Sequence, residues 1–399
     1  MNQFSEMPIS AGLQQKLVKA QFITPTPVQS AAIPHGLAGK DVLATAQTGT
    51  GKTLAFLIPA MELMLKSSSK NIEVLVLVPT RELAMQVREQ YEMLRGKELP
   101  AAALVIGGLP EKRQIDALRA GARLVVATPG RLQDFLGRRL ADLRNVKILV
   151  LDEADRMLDM GFLPSIRRIA ALLPKQRQTM CFSATLEASV AGLVHDYMIA
   201  PVRVEMGSTL KPAENVDLAA YEVSAMQKRD VLRQLLYDEK GLCLVFARTK
   251  RSTERLAKDL IRDGFSATMI HGDRSQSQRT GALAGFEEGR FRVLVATDIA
   301  SRGIHVDNIA HVINYDLPAI PEDFIHRVGR TGRAGLMGRA STLVAGGEII
   351  ELRHIERALK LKIVRKQIGT EGVSNMPRPQ QRSSLASRTL TRLPGEVFV

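Results

Sequence analysis

The chain has 399 residues, and its 55 Lys plus Arg against 41 Asp plus Glu leave a formal charge of +14. At 45% hydrophobic and 24% charged residues the composition is globular, which excludes disordered and collagen-like architectures, and the length suits two or three domains of about 100–200 residues. Two cysteines, Cys181 and Cys243, are too few for a disulfide framework or an unaided zinc site, the start MNQFSEMPIS lacks a signal-peptide pattern, and no run reaches the roughly 18 apolar residues that span a bilayer; neither secretion nor membrane spanning is expected, and a cytoplasmic location is.

The elements follow in chain order as two series. Short β-branched runs separated by helical stretches predict parallel sheets flanked by helices. The first series is Asp41–Ala46, Val74–Pro79, Ala103–Gly108, Leu124–Pro129, Ile148–Asp152, Thr179–Ser183 and Val202–Met206. Most of these runs are apolar without alternation, the pattern of strands buried on both faces. GSTLKPAENV then reads as a linker, being rich in Gly, Pro and Ser without periodicity. The second series is Leu218–Val223, Cys243–Ala247, Ala267–Ile270, Val293–Thr297, His311–Tyr315 and Ala340–Val344. From Val364 the pattern dissolves into Arg, Ser, Gln and Pro, so a short, basic, disordered tail is expected. The expected division is 1–206, a linker over 207–215, a second α/β domain over 216–363 and a tail over 364–399.

The charge surplus suits a polyanion, whose phosphates release counterions when Lys and Arg neutralise them, and equally suits a basic surface that aids solubility. With 12 Phe, 5 Tyr and no Trp, the chain is poor in platforms for stacking successive bases. A nucleic-acid partner would therefore be held by its sugar-phosphate backbone.

Two motifs carry chemistry on their own residues. After the strand at 41–46 comes Gln47-Thr48-Gly49-Thr50-Gly51-Lys52-Thr53 and then an apolar helical stretch, a phosphate-binding loop. Gly49 and Gly51 let backbone N–H groups approach phosphate oxygens, Lys52 reaches the β and γ phosphates, and Thr53 can hold Mg²⁺ at the helix start. At the end of KILVL stands Asp152-Glu153-Ala154-Asp155, an acidic cluster costly to keep unless it faces a cation. Asp152 suits a water-mediated bond to Mg²⁺, and Glu153 suits orienting and deprotonating the attacking water.

With these four residues in place the chain resembles the DEAD-box ATP-dependent RNA helicases, a superfamily 2 group with two tandem RecA-like domains, over roughly residues 4–360. The tract Asn314–Gly335 and the basic tail are similar to bacterial RhlE-type members. The resemblance implies a Q motif at Phe22–Gln29, with Gln29 pairing with the adenine edge and Phe22 stacking on the ring; Gln21 stands where the family usually has Gly. It adds Thr48, Thr50 and Asp155 to the ATP site, and it implies RNA-backbone contacts at Arg81, Gly108, Thr128, Arg131, Thr249, Thr297 and Arg302. Ser183 and Thr185 of Ser-Ala-Thr would couple hydrolysis to strand separation through the acidic cluster.

In His326-Arg327-Val328-Gly329-Arg330-Thr331-Gly332-Arg333, Arg330 and Arg333 resemble arginine fingers for the γ-phosphoryl, while for Arg327 a solvated helix position stays open. The sequence departs from the family at His305, where most members have an Asp that accepts hydrogen bonds from the ATP ribose. An imidazole accepts through one ring nitrogen only, so a weaker ribose contact with hydrolysis retained is expected. The implied activity is RNA-stimulated ATP hydrolysis with Mg²⁺, in which ATP and RNA close the two domains and a short duplex is bent apart. The implied partners are RNA and, around it, ribosomal or RNA-decay assemblies.

Overall fold

The computed structural model describes residues 3–46, 50–185, 188–206, 215–301, 306, 308–332 and 336–366. The chain divides into two compact units, Met1–Thr209 and Leu210–Val399.

In the first unit seven strands form one sheet: β1 Val42–Thr45, β2 Val74–Leu77, β3 Ala103–Val105, β4 Leu124–Ala127, β5 Ile148–Leu151, β6 Gln178–Ser183 and β7 Val202–Glu205. Their order is β3-β4-β2-β5-β6-β1-β7, and every pairing is parallel. Successive side chains of a strand point to opposite faces, so one apolar strand must feed two cores. Val42 and Ala44 join the layer under helices Pro27–Leu37, Lys52–Leu65 and Arg81–Arg95, while Leu43 joins the layer under Pro129–Gly137 and Leu163–Ala170. This double burial explains why the strands read as unbroken apolar runs.

The second unit repeats the scheme with β8 Val216–Val223, β9 Leu242–Phe246, β10 Ala267–Ile270, β11 Val293–Ala296, β12 Ile309–Asn314, β13 Gly338–Ala345 and β14 Val364–Lys366. Its order, β10-β11-β9-β12-β13-β8-β14, is the first sheet's order strand for strand, again all parallel. Each of the thirteen expected runs overlaps one of these strands, with β6, β8, β9, β12 and β13 starting one or two residues before the run.

β14 was not expected. It lies at 364–366, where the composition places the start of the tail, and pairs with Ala219–Tyr221 of β8. The ordered second unit thus extends to Lys366. An edge strand of Val-Arg-Lys with outward side chains has no apolar signature to betray it. Most of the expected linker, 207–214, and the chain from 367 onward lie outside the described residues.

The helix after β8, Lys228–Asp238, starts with a buried lysine. Lys228 Nζ donates to the Tyr315 carbonyl at 3.1 Å and pairs with Glu348 at 2.7 Å, with Asp316 at 3.8 Å.

Candidate active site and nucleic-acid interface

Parallel strands carry all their carboxyl ends to one edge of the sheet, and the loops there are where such sheets bind ligands. In the first unit the phosphate loop leaves β1 at this edge. Thr48 and Gly49 lie outside the described residues. Gly51 has φ +86°, and a Cβ there would lie 2.4 Å from Gln29 Nε2, so glycine is required both by backbone and by space. Lys52 opens the helix Lys52–Leu65, followed by the half-buried Thr53; the Lys52 Nζ folds back to donate to the Ala46 carbonyl at 3.0 Å.

Gln29 sits in the first turn of Pro27–Leu37, where its Oε1 accepts from the Thr26 N–H at 2.9 Å and its Nε2 donates to the Gly51 carbonyl at 2.9 Å. The amide therefore ties the Q-motif segment to the phosphate loop, and still has one lone pair and one N–H for an adenine edge. Phe22 is half-buried and packs against the core behind that segment.

The acidic cluster follows β5. Asp152 is 2% exposed, and burial pushes its carboxyl up to about 7 although Lys52 pulls it back; Glu153 and Asp155 nearby push the same way as burial. Glu153 is held in the left-handed region, φ 52°, and its carboxylate takes an ion pair from Arg156 Nη1 at 2.8 Å, both groups buried. Such a conformation in a non-glycine residue costs about 1 kcal/mol or more.

Asp155 faces the end of β6. Its Oδ2 accepts from the backbone N–H groups of Ala184 and Thr185, both at 2.9 Å, and from Thr185 Oγ1 at 3.3 Å, while its own N–H donates to Ser183 Oγ at 3.3 Å. Of the two Ser-Ala-Thr hydroxyls, that of Thr185 meets a carboxylate of the acidic cluster and that of Ser183 meets the cluster's backbone.

The donor set suits Mg²⁺. Among the described residues no group of three or more metal-ligating side chains converges. Mg²⁺ does not need one, since it is held by one or two carboxylates together with phosphate oxygens and water. The buried Asp152 carboxylate, close enough to Lys52 to feel its charge, and Thr53 next to Lys52 at the helix start are the protein's part of such a site.

Further along the same edge, Thr80 caps the helix Arg81–Arg95, its Oγ1 accepting from Leu83 N–H at 3.2 Å. The Arg81 guanidinium lies on the Gly107–Gly108 turn after β3, where a Cβ on Gly108 would come within 2.2 Å of Nη1. Thr128 donates its N–H to the Val105 carbonyl at 3.1 Å at the end of β4. Arg131 is held by three neighbours: Glu111 at 2.9 Å, Asp134 at 2.7 Å and the Phe135 ring at 4.5 Å. Arg138 and Arg131 together hold the Glu111 carboxyl down to about 2. The structure therefore gathers Arg81, Gly108, Thr128 and Arg131 at the carboxyl ends of β2, β3 and β4.

In the second unit Thr249 caps the helix Lys250–Arg262, its Oγ1 accepting from Ser252 N–H at 3.0 Å, and Thr297 donates its N–H to the Ile270 carbonyl at 3.3 Å. Arg330 is buried, its Nε donating to the His326 carbonyl at 3.2 Å. Arg302, His305 and Arg333 lie outside the described residues. Arg327 is not a solvated helix residue: it is 2% exposed and paired with Asp298.

Three participants were missed. Arg156 was legible in principle, three residues after Glu153 on a helix face. Glu111 and Arg327 were not, because their partners lie 20 and 29 residues away in sequence.

Two family models match the chain, "DEAD/DEAH box helicase" over residues 26–193 and "Helicase conserved C-terminal domain" over 227–335. The Bacillus subtilis DEAD-box ATP-dependent RNA helicase CshA is 42% identical over 367 residues, spanning 91% of this chain and 73% of that protein. Among solved structures, S. cerevisiae Dbp5 bound to RNA and ADP BeF3 aligns with a TM-score of 0.82 at 29% identity, over 92% of this chain and 96% of that one. Mss116p bound to ssRNA and AMP-PNP aligns at 0.84 and 26% identity, over 93% of this chain and 80% of that one. The chain belongs to the DEAD-box ATP-dependent RNA helicase family.

Proposed function

We propose that this protein is an RNA-stimulated ATP hydrolase that separates short RNA duplexes and remodels RNA or ribonucleoprotein in the cytoplasm, as ATP and RNA close its two RecA-like domains, 1–206 and 216–366. The observation that carries this reading is the Asp155 carboxylate, which binds the acidic cluster at the nucleotide loop to Ala184 and Thr185 at the end of the next strand. A change at the phosphates then shifts the strand end beside it.

Lys52 and the loop N–H groups hold the phosphates of ATP, and Gln29 and Phe22 hold adenine. Thr53 and Asp152 would hold Mg²⁺, which would supply neutralisation of the phosphate charge. Glu153 takes the proton of the attacking water, with Arg156 orienting its carboxylate. Arg330 and Arg333 stabilise charge on the transferring group. Arg81, Gly108, Thr128, Arg131, Thr249, Thr297 and Arg302 hold the RNA backbone. Backbone contacts carry no base information, so substrate choice is assigned to the surrounding assemblies, ribosomal or RNA-decay.

Steady-state ATPase without polymer, with RNA and with DNA tests the proposal, using wild type and Glu153→Gln. RNA should stimulate far more than DNA, and Glu153→Gln should lose about 10²–10⁴ of the rate. Polymer-independent activity, or none in wild type, would sink it. GTP should serve worse than ATP if Gln29 reads adenine, and His305→Asp should lower the KM for ATP.

A further inference from the structure

Arg327 lies in the helix Pro321–Val328, three residues before Arg330, and is almost fully buried. A buried guanidinium is costly unless its donors are met, and those of Arg327 are. Nε and Nη2 donate to the two carboxylate oxygens of Asp298 at 2.5 and 2.7 Å. Nη1 donates to Asn314 Oδ1 at 3.1 Å and to the Asp316 carbonyl at 2.6 Å. The guanidinium also lies 4.8 Å from the centre of the Phe246 ring.

These partners come from three strand ends. Phe246 closes β9, three residues before Thr249; Asp298 directly follows Thr297 after β11; Asn314 closes β12. Arg248 N–H donates to Asp316 Oδ2 at 2.8 Å, which fastens the β9 loop to the same point. The fork of an arginine can satisfy a bidentate carboxylate and two further acceptors at once, which the single ammonium of lysine cannot do.

We propose that Arg327 is a positioning residue: it locks the RNA-contact strand ends at Thr249 and Thr297 to the helix that carries Arg330, so that RNA bound at the former sets the latter for hydrolysis. The inference rests on the RNA-stimulated ATPase proposed above. Arg327 touches a residue at the end of each of the three strands, Phe246, Asp298 and Asn314.

The test compares the full-length wild type with R327K and D298N, by ATPase with and without poly(U) RNA, at a temperature below the measured melting of each variant. R327K should lose about tenfold or more in kcat at saturating RNA, with the polymer-free rate and the KM for ATP within about twofold of wild type. D298N should shift in the same direction. An R327K protein with a lower melting temperature but the wild-type ratio of stimulated to polymer-free rate would overturn the inference, as would an equal loss in both rates. Should R327K fail to fold, D298N decides by the same criteria. A wild type without RNA stimulation overturns the proposed function and this inference with it; a stimulated wild type with an equally stimulated variant overturns only the inference.

Discussion

Gln21 ends the helix Ala11–Lys19 with φ 62°, in the left-handed region. Its N–H bonds the Val18 carbonyl and the Phe22 N–H bonds the Leu17 carbonyl, both at 2.9 Å, the pattern that closes a helix and is best served by glycine. The departure from the family noted at this position therefore has a physical cost. Gln21→Gly should stabilise the first unit by about 1 kcal/mol, read as a higher urea midpoint with unchanged slope, and should leave Phe22 in place so that the KM for ATP does not move. A second residue bears on pH. His311 is fully buried in β12, its Nε2 2.8 Å from Ser341 Oγ, and burial pushes its imidazole down to about 4. The unfolded chain takes up this proton near pH 6.5 and the folded one only near 4, so stability is whole above pH 6.5 and falls as pH drops through that window, by up to about 3 kcal/mol. Melting of His311→Gln should fall less steeply between pH 6.5 and 4 than that of wild type.

At the scale of elements, the candidate RNA edge depends on two glycines that make room for an arginine. Gly108 has φ +79° and no space for a Cβ under Arg81. Gly108→Ala should displace the guanidinium and raise the RNA concentration for half-maximal ATPase several-fold, with the KM for ATP unchanged; equal shifts in both would place Gly108 in the fold rather than at the edge. The strands themselves were legible because burial on both faces makes them apolar runs, and the motif residues were legible because they cluster where those runs stop. What joins the motifs was hidden. Arg131 pairs with Glu111 across β4, and Arg327 with Asp298 across β12, and no local periodicity marks either pair. β14 was hidden for a related reason, since its order comes from the edge of β8 rather than from its own three residues.

For the molecule as a whole, the two sheets share one strand order, so β14 stands to β8 as β7 stands to β1. A chain stopped after Ile363 should therefore behave like a sheet with an uncovered edge. Relative to a chain stopped after Lys366, it should melt several degrees lower and aggregate more readily, as read by light scattering on heating. If both lengths melt alike, β14 adds nothing to the second unit. The shared order also sets two lysines in corresponding places, each opening the helix that follows the first strand of its sheet. Lys52 turns to a backbone carbonyl and keeps its charge available to phosphate, whereas Lys228 is already neutralised by Glu348 with Asp316 beside it. The lysine of the second repeat has its charge taken up inside its own unit, so the repeated scaffold offers phosphate a free ammonium at one helix start and an internally paired one at the other.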